Sequence, residues 1–296
     1  MSLVLSQVSR SAASTLAIQP SIKLNRGKSK KMETVELPKG STLLSLDSVL
    51  VRFGGVVAVN QVSFEAKVGE ILAVIGPNGA GKTTVFNTVT GVYTPTEGSI
   101  TFAGRPLPGL KPHQITRLGL ARTFQNIRLF PNMTVLENAM IGGDAGSKST
   151  VFGAMFKTPR QRREEMASRQ SALDALEFVG MNAPLGREAA GLSYGDQRRL
   201  EIARALATKP QLILLDEPAA GMNPAEKVDL QRLIMKIRDS GVTVILIEHD
   251  MGLVMKISDR IVVLDFGKKI ADGLPEEVRE NPAVIEAYLG AEDAAS

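Results

Sequence analysis

Residues 71–84 read ILAVIGPNGAGKTT: five apolar residues run straight into a glycine-rich loop that ends in Lys-Thr-Thr. Gly76, Pro77, Asn78, Gly79, Ala80, Gly81, Lys82, Thr83 and Thr84 match the pattern G-x-x-x-x-G-K-[ST], which has physical meaning only between a strand and a helix. Both flanks are present, because an apolar run precedes the loop and helical sequence follows it. Glycines let successive backbone N–H groups turn toward phosphate oxygens, and the N-terminus of the next helix adds positive potential. Lys82 is placed to reach the β and γ phosphates, and Thr83 to ligate Mg²⁺. The loop predicts bound ATP or GTP, with an ordinary Gly-rich turn as the competing reading.

Outward from this loop, short strands and helices alternate. Ser45 to Val51, Gln61 to Ala66 and Ile71 to Ile75 read as strands of a mixed sheet, separated by Gly-containing turns. Leu212 to Leu215 and Val242 to Ile247 are continuous apolar runs, as expected of central strands buried on both faces. Between them, Asn223 and Pro224 look like an N-cap and first helical position, Val228, Leu230, Ile234 and Ile237 form an apolar stripe, and Gly241 stops the helix. In the middle of the chain, Thr158-Pro159 opens a charged helix with Met166, Leu173, Leu176 and Val179 on one side, and a further helix starts near Ser193. The expected fold is α/β: a mixed-sheet core over residues 45–296, a single domain, with an α-helical subdomain of roughly residues 126–205 inserted into it.

Two further motifs follow apolar strands. LILLDE, residues 212–217, puts Asp216 and Glu217 at the end of a buried strand, where a carboxylate is costly unless a cation or reacting group faces it. Asp216 would hold Mg²⁺ through water, and Glu217 would polarise the attacking water as general base, a helix N-cap carboxylate being the alternative for either. His249 follows its strand in the same way, so all three motifs would emerge from one edge of a parallel sheet, with His249 sited to contact the γ-phosphate unless it is structural. His113, in a polar stretch beside Pro112, reads as a structural loop residue.

Composition excludes much else. With 44% hydrophobic and 22% charged residues the chain is neither disordered nor a membrane bundle, and no apolar run approaches the roughly 18 residues of a spanning helix. The absence of cysteine excludes thiol catalysis and thiolate-held metals, and two histidines cannot build a histidine metal cluster, so any metal is a hard ion on oxygen ligands. The net charge of +4 is not spread over the chain: residues 1–31 hold six of the 35 Lys and Arg and no acid, leaving 29 basic against 31 acidic groups elsewhere. A slightly acidic body argues against a nucleic-acid partner. The Ser-rich basic tail superficially resembles a transit peptide, but a disordered extension over residues 1–44, or a start assigned too early with Met32 as the beginning, accounts for it better.

At residues 192–200, LSYGDQRRL, the chain resembles the signature motif of ABC-type ATPases, usually LSGGQ, with Tyr194 and Asp196 in place of Gly and Gln. Ser193 and Gly195 open a helix carrying Leu200, Ile202, Ala203 and Leu206, so its N-terminus can face an anion. The resemblance implies that this anion is the γ-phosphate bound by the opposite subunit, so that a complete site takes two chains. It also implies that Phe53, 23 residues before Gly76, stacks on adenine, a packed core Phe being the alternative. Gln125 resembles the glutamine that senses Mg²⁺ and the attacking water and links the core to the helical insertion; an ordinary surface glutamine is its alternative. Residues 218–223, PAAGMN, look like the loop that meets its counterpart across the dimer, with Asn223 where Asp is commoner.

The stretches RFGG (52–55), YGDQRR (194–199) and AVIEAYLG (283–290) are similar to the ATP-binding subunits of branched-chain amino acid importers, where the Tyr-Gly-Asp form is ordinary. That likeness implies an ATP-hydrolysing motor using ATP and Mg²⁺, peripheral at the cytoplasmic face of the inner membrane. Its implied partners are integral-membrane permease subunits, a second ABC ATPase as heterodimer or a second copy as homodimer, and indirectly a periplasmic binding protein. Alternatives are an ABC ATPase of lipopolysaccharide export, or a soluble one acting on DNA or ribosomes.

Overall fold

The computed structural model describes residues 37–144 and 159–293. Most of the N-terminal extension expected over residues 1–44 lies outside these, but its end does not: Leu43 and Leu44 are buried in the first strand, so the fold begins at least three residues earlier than the sequence suggested.

The expected mixed sheet is realised as two sheets. Strands β1 (Thr42–Phe53) and β2 (Val56–Lys67) pair antiparallel, and with β4 (Glu97–Phe102) and β5 (Arg105–Pro106) they make a four-stranded sheet in the order β2-β1-β4-β5. The second sheet runs β10-β9-β3-β8-β7-β6, from β10 (Lys268–Gly273), β9 (Arg260–Asp265), β3 (Ile71–Ile75), β8 (Thr243–Ile247), β7 (Leu212–Asp216) and β6 (Leu120–Arg122). Five of its strands are parallel, and β10 closes one edge antiparallel to β9.

The continuous apolar runs are explained by burial on both faces. In β3, Leu72 and Val74 face the core between the two sheets, whereas Ile71, Ala73 and Ile75 face the core under the helices; β7 and β8 divide the same way. Helix α1 (Lys82–Val89) follows the glycine-rich loop and buries Val85, Phe86 and Val89 between the sheets. The short α2 (Pro112–Arg117) leads into β6; His113 lies in this helix rather than in a loop.

Between β6 and β7 come α3 (Val135–Asp144), α4 (Pro159–Phe178) and α5 (Tyr194–Leu206), which pack on one another. Helix α4 buries Ala172, Ala175 and Leu176, while Met166, expected on that face, is 62% exposed. Helix α6 (Pro224–Asp239) joins β7 to β8. Its N-cap is the expected Asn223, whose side chain accepts the Glu226 amide while the Glu226 carboxylate accepts the Asn223 amide. Its buried stripe is Leu230, Leu233, Ile234 and Ile237; Val228 is exposed, one position off the true face. Helices α7 (Met251–Ile257), α8 (Pro275–Arg279) and α9 (Pro282–Asp293) complete the described chain.

Candidate active site

Because β3, β8, β7 and β6 are parallel neighbours, their C-terminal ends lie along one sheet edge. From that edge leave, in spatial order, the glycine-rich loop, the His249 segment, the acid pair and the Gln125 segment. This is the crevice in which open α/β sheets bind ligands.

The glycine-rich loop needs its glycines for different reasons. Gly76 has φ 147°, and a Cβ there would lie 2.0 Å from the Leu264 carbonyl oxygen. Gly79, at φ 80°, meets no obstruction, so only its backbone conformation demands glycine. Gly81 caps α1 with no side-chain hydrogen bond, and the first turn carries no acid, so the helix presents its amides without an internal anion. Lys82 is buried at 6% exposure, its Nζ donating to the Gly76 and Pro77 carbonyls at 2.7 and 2.8 Å. Burial lowers its pKa, and the Glu217 and Asp216 charges oppose that fall. Thr83 is exposed beside it.

Glu217 follows β7 in the left-handed region, φ 46°, held there by its amide donating to the Ile247 carbonyl at 2.9 Å. Non-glycine residues pay for that conformation, and such strain concentrates at functional sites. Its carboxylate is gripped from both sides: Gln125 Nε2 donates to Oε2 at 2.7 Å, and His249 Nε2 lies 2.9 Å from Oε1. Three side chains from the ends of three strands thus converge on one another; the sequence placed the acid pair and His249 at one edge with the glycine-rich loop, whereas Gln125 was singled out by the family resemblance alone. Phe53 is 45% exposed and meets the Tyr93 ring edge-on at 5.0 Å, which removes the packed-core alternative. Ser193 caps α5, its hydroxyl accepting the Asp196 amide and donating to Asp196 Oδ2; Gly195 follows in the first turn.

Several residues at this edge were missed by sequence reading. Arg122, at the end of β6, donates to Asp216 Oδ2 at 2.7 Å and to Asn87 Oδ1 at 2.7 Å, its guanidinium lying over the Phe86 and Phe124 rings. Glu248, 3% exposed, accepts the Ala219 amide at 2.7 Å and the His249 amide at 3.0 Å, tying the segment after Glu217 to the His249 turn. Tyr288 of α9 lies by the Gly76 backbone, and burial holds its phenol above the ordinary range. The signal available for the first two was a charge adjoining a strand that is otherwise wholly apolar.

An edge of this construction is equipped for nucleoside triphosphate hydrolysis, and fold and site together define a P-loop NTPase. A family model described as ABC transporter matches residues 59–220, and one described as branched-chain amino acid ATP-binding cassette transporter matches residues 268–294. The high-affinity branched-chain amino acid transport ATP-binding protein LivG of Salmonella typhimurium is 51% identical over 249 residues, covering 84% of this chain and 98% of that protein. The corresponding protein BraF of Pseudomonas aeruginosa is 49% identical over the same coverage. A crystal structure of the ADP conformation of an ATP-binding cassette of an ABC transporter superposes with TM-score 0.73 at 31% identity, over 84% of this chain and 99% of that one. The chain belongs to the ABC transporter family of ATP-hydrolysing subunits, in its branched-chain amino acid branch.

Proposed function

We propose that this chain is the ATP-hydrolysing motor subunit of an importer for branched-chain or other hydrophobic amino acids. The observation that carries the hydrolytic reading is the convergence of Gln125 and His249 on Glu217, at the edge where Lys82 and the α1 amides can hold phosphate. The names of the relatives support the solute and do not favour lipopolysaccharide export.

In this reading Phe53 stacks on the base, and the amides of the loop from Gly76 to Thr84 cradle the phosphates. Lys82 turns its ammonium from the Gly76 and Pro77 carbonyls to the phosphate oxygens, exchanging neutral acceptors for charged ones. Glu217 takes the proton of the attacking water, and Gln125 and His249 keep its carboxylate aimed. Ser193 and Gly195, at the N-terminus of α5, serve the γ-phosphate held by an opposing chain. A dimeric ATP-binding cassette bound to ADP and Pi, TM-score 0.66 at 25% identity, supports a two-chain site.

The residues fit a magnesium ion. Their donors are hard oxygens from Thr83, Asp216 and Gln125, and among the described residues no cluster of three or more His, Cys, Asp or Glu could hold a metal unaided, so phosphate and water must complete its shell. Bound there, Mg²⁺ would neutralise charge developing on the phosphates. No helix of the described residues is long and apolar enough to cross a membrane. In this reading the chain works through integral-membrane permeases at the inner face of the cell membrane, beside a second, distinct ABC ATPase and, indirectly, a periplasmic binding protein, which the names of its relatives as transport ATP-binding proteins support.

The test is Glu217→Gln, purified by affinity tag from native membranes with ATP present. Retained ATP binding, nearly abolished turnover and recovery of two permeases with a second ATPase are expected. Turnover at the wild-type rate would remove Glu217 as base, and recovery of lipopolysaccharide-export components instead would remove the amino acid importer.

A further inference from the structure

The signature stretch of this chain departs from the usual form at Tyr194, and that side chain occupies a defined place. Its hydroxyl donates to the Ala220 carbonyl at 2.8 Å and accepts from Arg198 Nη2 at 3.2 Å, which uses its one proton and one lone pair. Ala220 lies three residues after Glu217, and Gly221 beside it, at φ 75°, lies against the tyrosine ring.

Arg198 is wholly buried, where an unpaired guanidinium is costly; both of its Nη atoms are paired, while Nε has no partner. Nη1 donates to the Phe124 carbonyl at 2.8 Å and to Glu201 Oε2 at 2.8 Å, and Nη2 donates to the Gln125 carbonyl at 2.9 Å. The two carbonyls belong to consecutive residues, so the planar fork fixes the peptide units on both sides of the Gln125 Cα. The other Glu201 oxygen accepts the Phe124 amide at 3.3 Å and the Arg128 amide at 3.4 Å, completing a grip on the backbone of this segment. Burial raises the pKa of Glu201, and the Arg198 charge works against that rise.

These contacts close a ring. Glu217 accepts from Gln125, whose backbone is held by Arg198, which is bonded to Tyr194, which is bonded to Ala220, three residues along the chain from Glu217 again. We propose that Tyr194 and Arg198 are positioning residues, through which the first turn of α5 locks Gln125 onto Glu217. A glycine at position 194 has no hydroxyl and could not make this link. The proposal rests on the hydrolytic reading above and adds a consequence to it. Ser193, which starts the same turn, would face the nucleotide of the opposing chain, so seating of that nucleotide reaches this chain's own Glu217 through two side chains.

The test is a two-by-two comparison of steady-state ATP hydrolysis by the full-length chain: wild type, Tyr194→Phe, Gln125→Ala and the double variant. Tyr194→Phe deletes one hydroxyl from a residue that is 41% exposed, so the fold survives and the thermal midpoint checks it. Its kcat is expected to fall about two- to tenfold, the factor that one hydrogen bond supplies, with nucleotide affinity unchanged. If Tyr194 acts through Gln125, the double variant is no slower than Gln125→Ala alone. Multiplying losses in the double variant, or a wild-type rate for Tyr194→Phe, would overturn the clamp while leaving the ATPase assignment intact. Wild-type hydrolysis by Gln125→Ala would overturn the clamp together with the aiming role given to Gln125, and would leave the ATPase assignment standing.

Discussion

Lys82 carries its charge where the surroundings work against it. Burial lowers its pKa below the free-lysine value of 10.5, and in this arrangement it is satisfied by two neutral carbonyls rather than by an anion. The sign of the consequence follows: below the lowered pKa the ammonium is intact, and as pH rises through it the charge is lost sooner than for an exposed lysine. Nucleotide affinity is therefore expected to be flat through neutral pH and to fall on the alkaline side. Lys82→Met should bind poorly at every pH and lose that alkaline limb; titrating affinity against pH in both proteins checks it, and an unchanged limb in the variant would place the titrating group elsewhere. Arg122 and Asp216 show the same economy. Both are nearly buried and pair at 2.7 Å, so the carboxylate that would serve the metal has a cation beside it already.

Among the elements, α6 shows how a local rule positions a remote residue. Its capping box joins Asn223 and Glu226, it follows directly on the segment containing Ala220, and its start fixes where that segment ends. Asn223→Ala is expected to cost about 1 kcal/mol of stability, the usual value of a lost cap, which chemical denaturation would show as a lower midpoint at unchanged slope. Elements of this kind were legible in the sequence because caps and apolar runs are local signals: the glycine-rich loop, the two double-faced strands and the Asn223 start were all read where they occur. The division of the early strands into a sheet of their own was not, since β1 and β4 are joined by pairing across dozens of residues that no local pattern reveals. Nor were Arg198 and Glu201 singled out. They occupy positions that helical periodicity gives to the core, three residues apart, and the signal that could have found them is that two opposite charges stand where apolar residues belong. Val228 and Met166 fail for the converse reason: an apolar residue one step off the buried face completes a stripe on paper and faces water in the protein.

For the whole molecule, nucleotide binding and stability are one equilibrium. Nucleotide that binds only the folded chain should raise the melting temperature, by about 2.7 kcal/mol of stabilisation at a hundred times its Kd. At the ~2–4 °C per kcal/mol typical of a domain of this size, the shift is roughly 5–10 °C. It should be present in Glu217→Gln and absent in Lys82→Ala; a full shift in Lys82→Ala would mean that the nucleotide sits elsewhere. The sheet order has a consequence for the chain while it is being made. Strand β3 finds its hydrogen-bonding neighbours only in β8 and β9, so that Ile71 waits for Val244. At about 5–20 residues per second on the ribosome, some 170 intervening residues take on the order of 10–35 s to emerge. For that interval an apolar five-residue strand has no sheet to join, and the glycine-rich loop after it lacks the Gly267 amide that donates to its Ala80 carbonyl. The nascent chain is thus most open to misassociation in the segment that defines its chemistry, and slowing or hastening translation beyond residue 75 should change the yield of native protein more than the same change made before it.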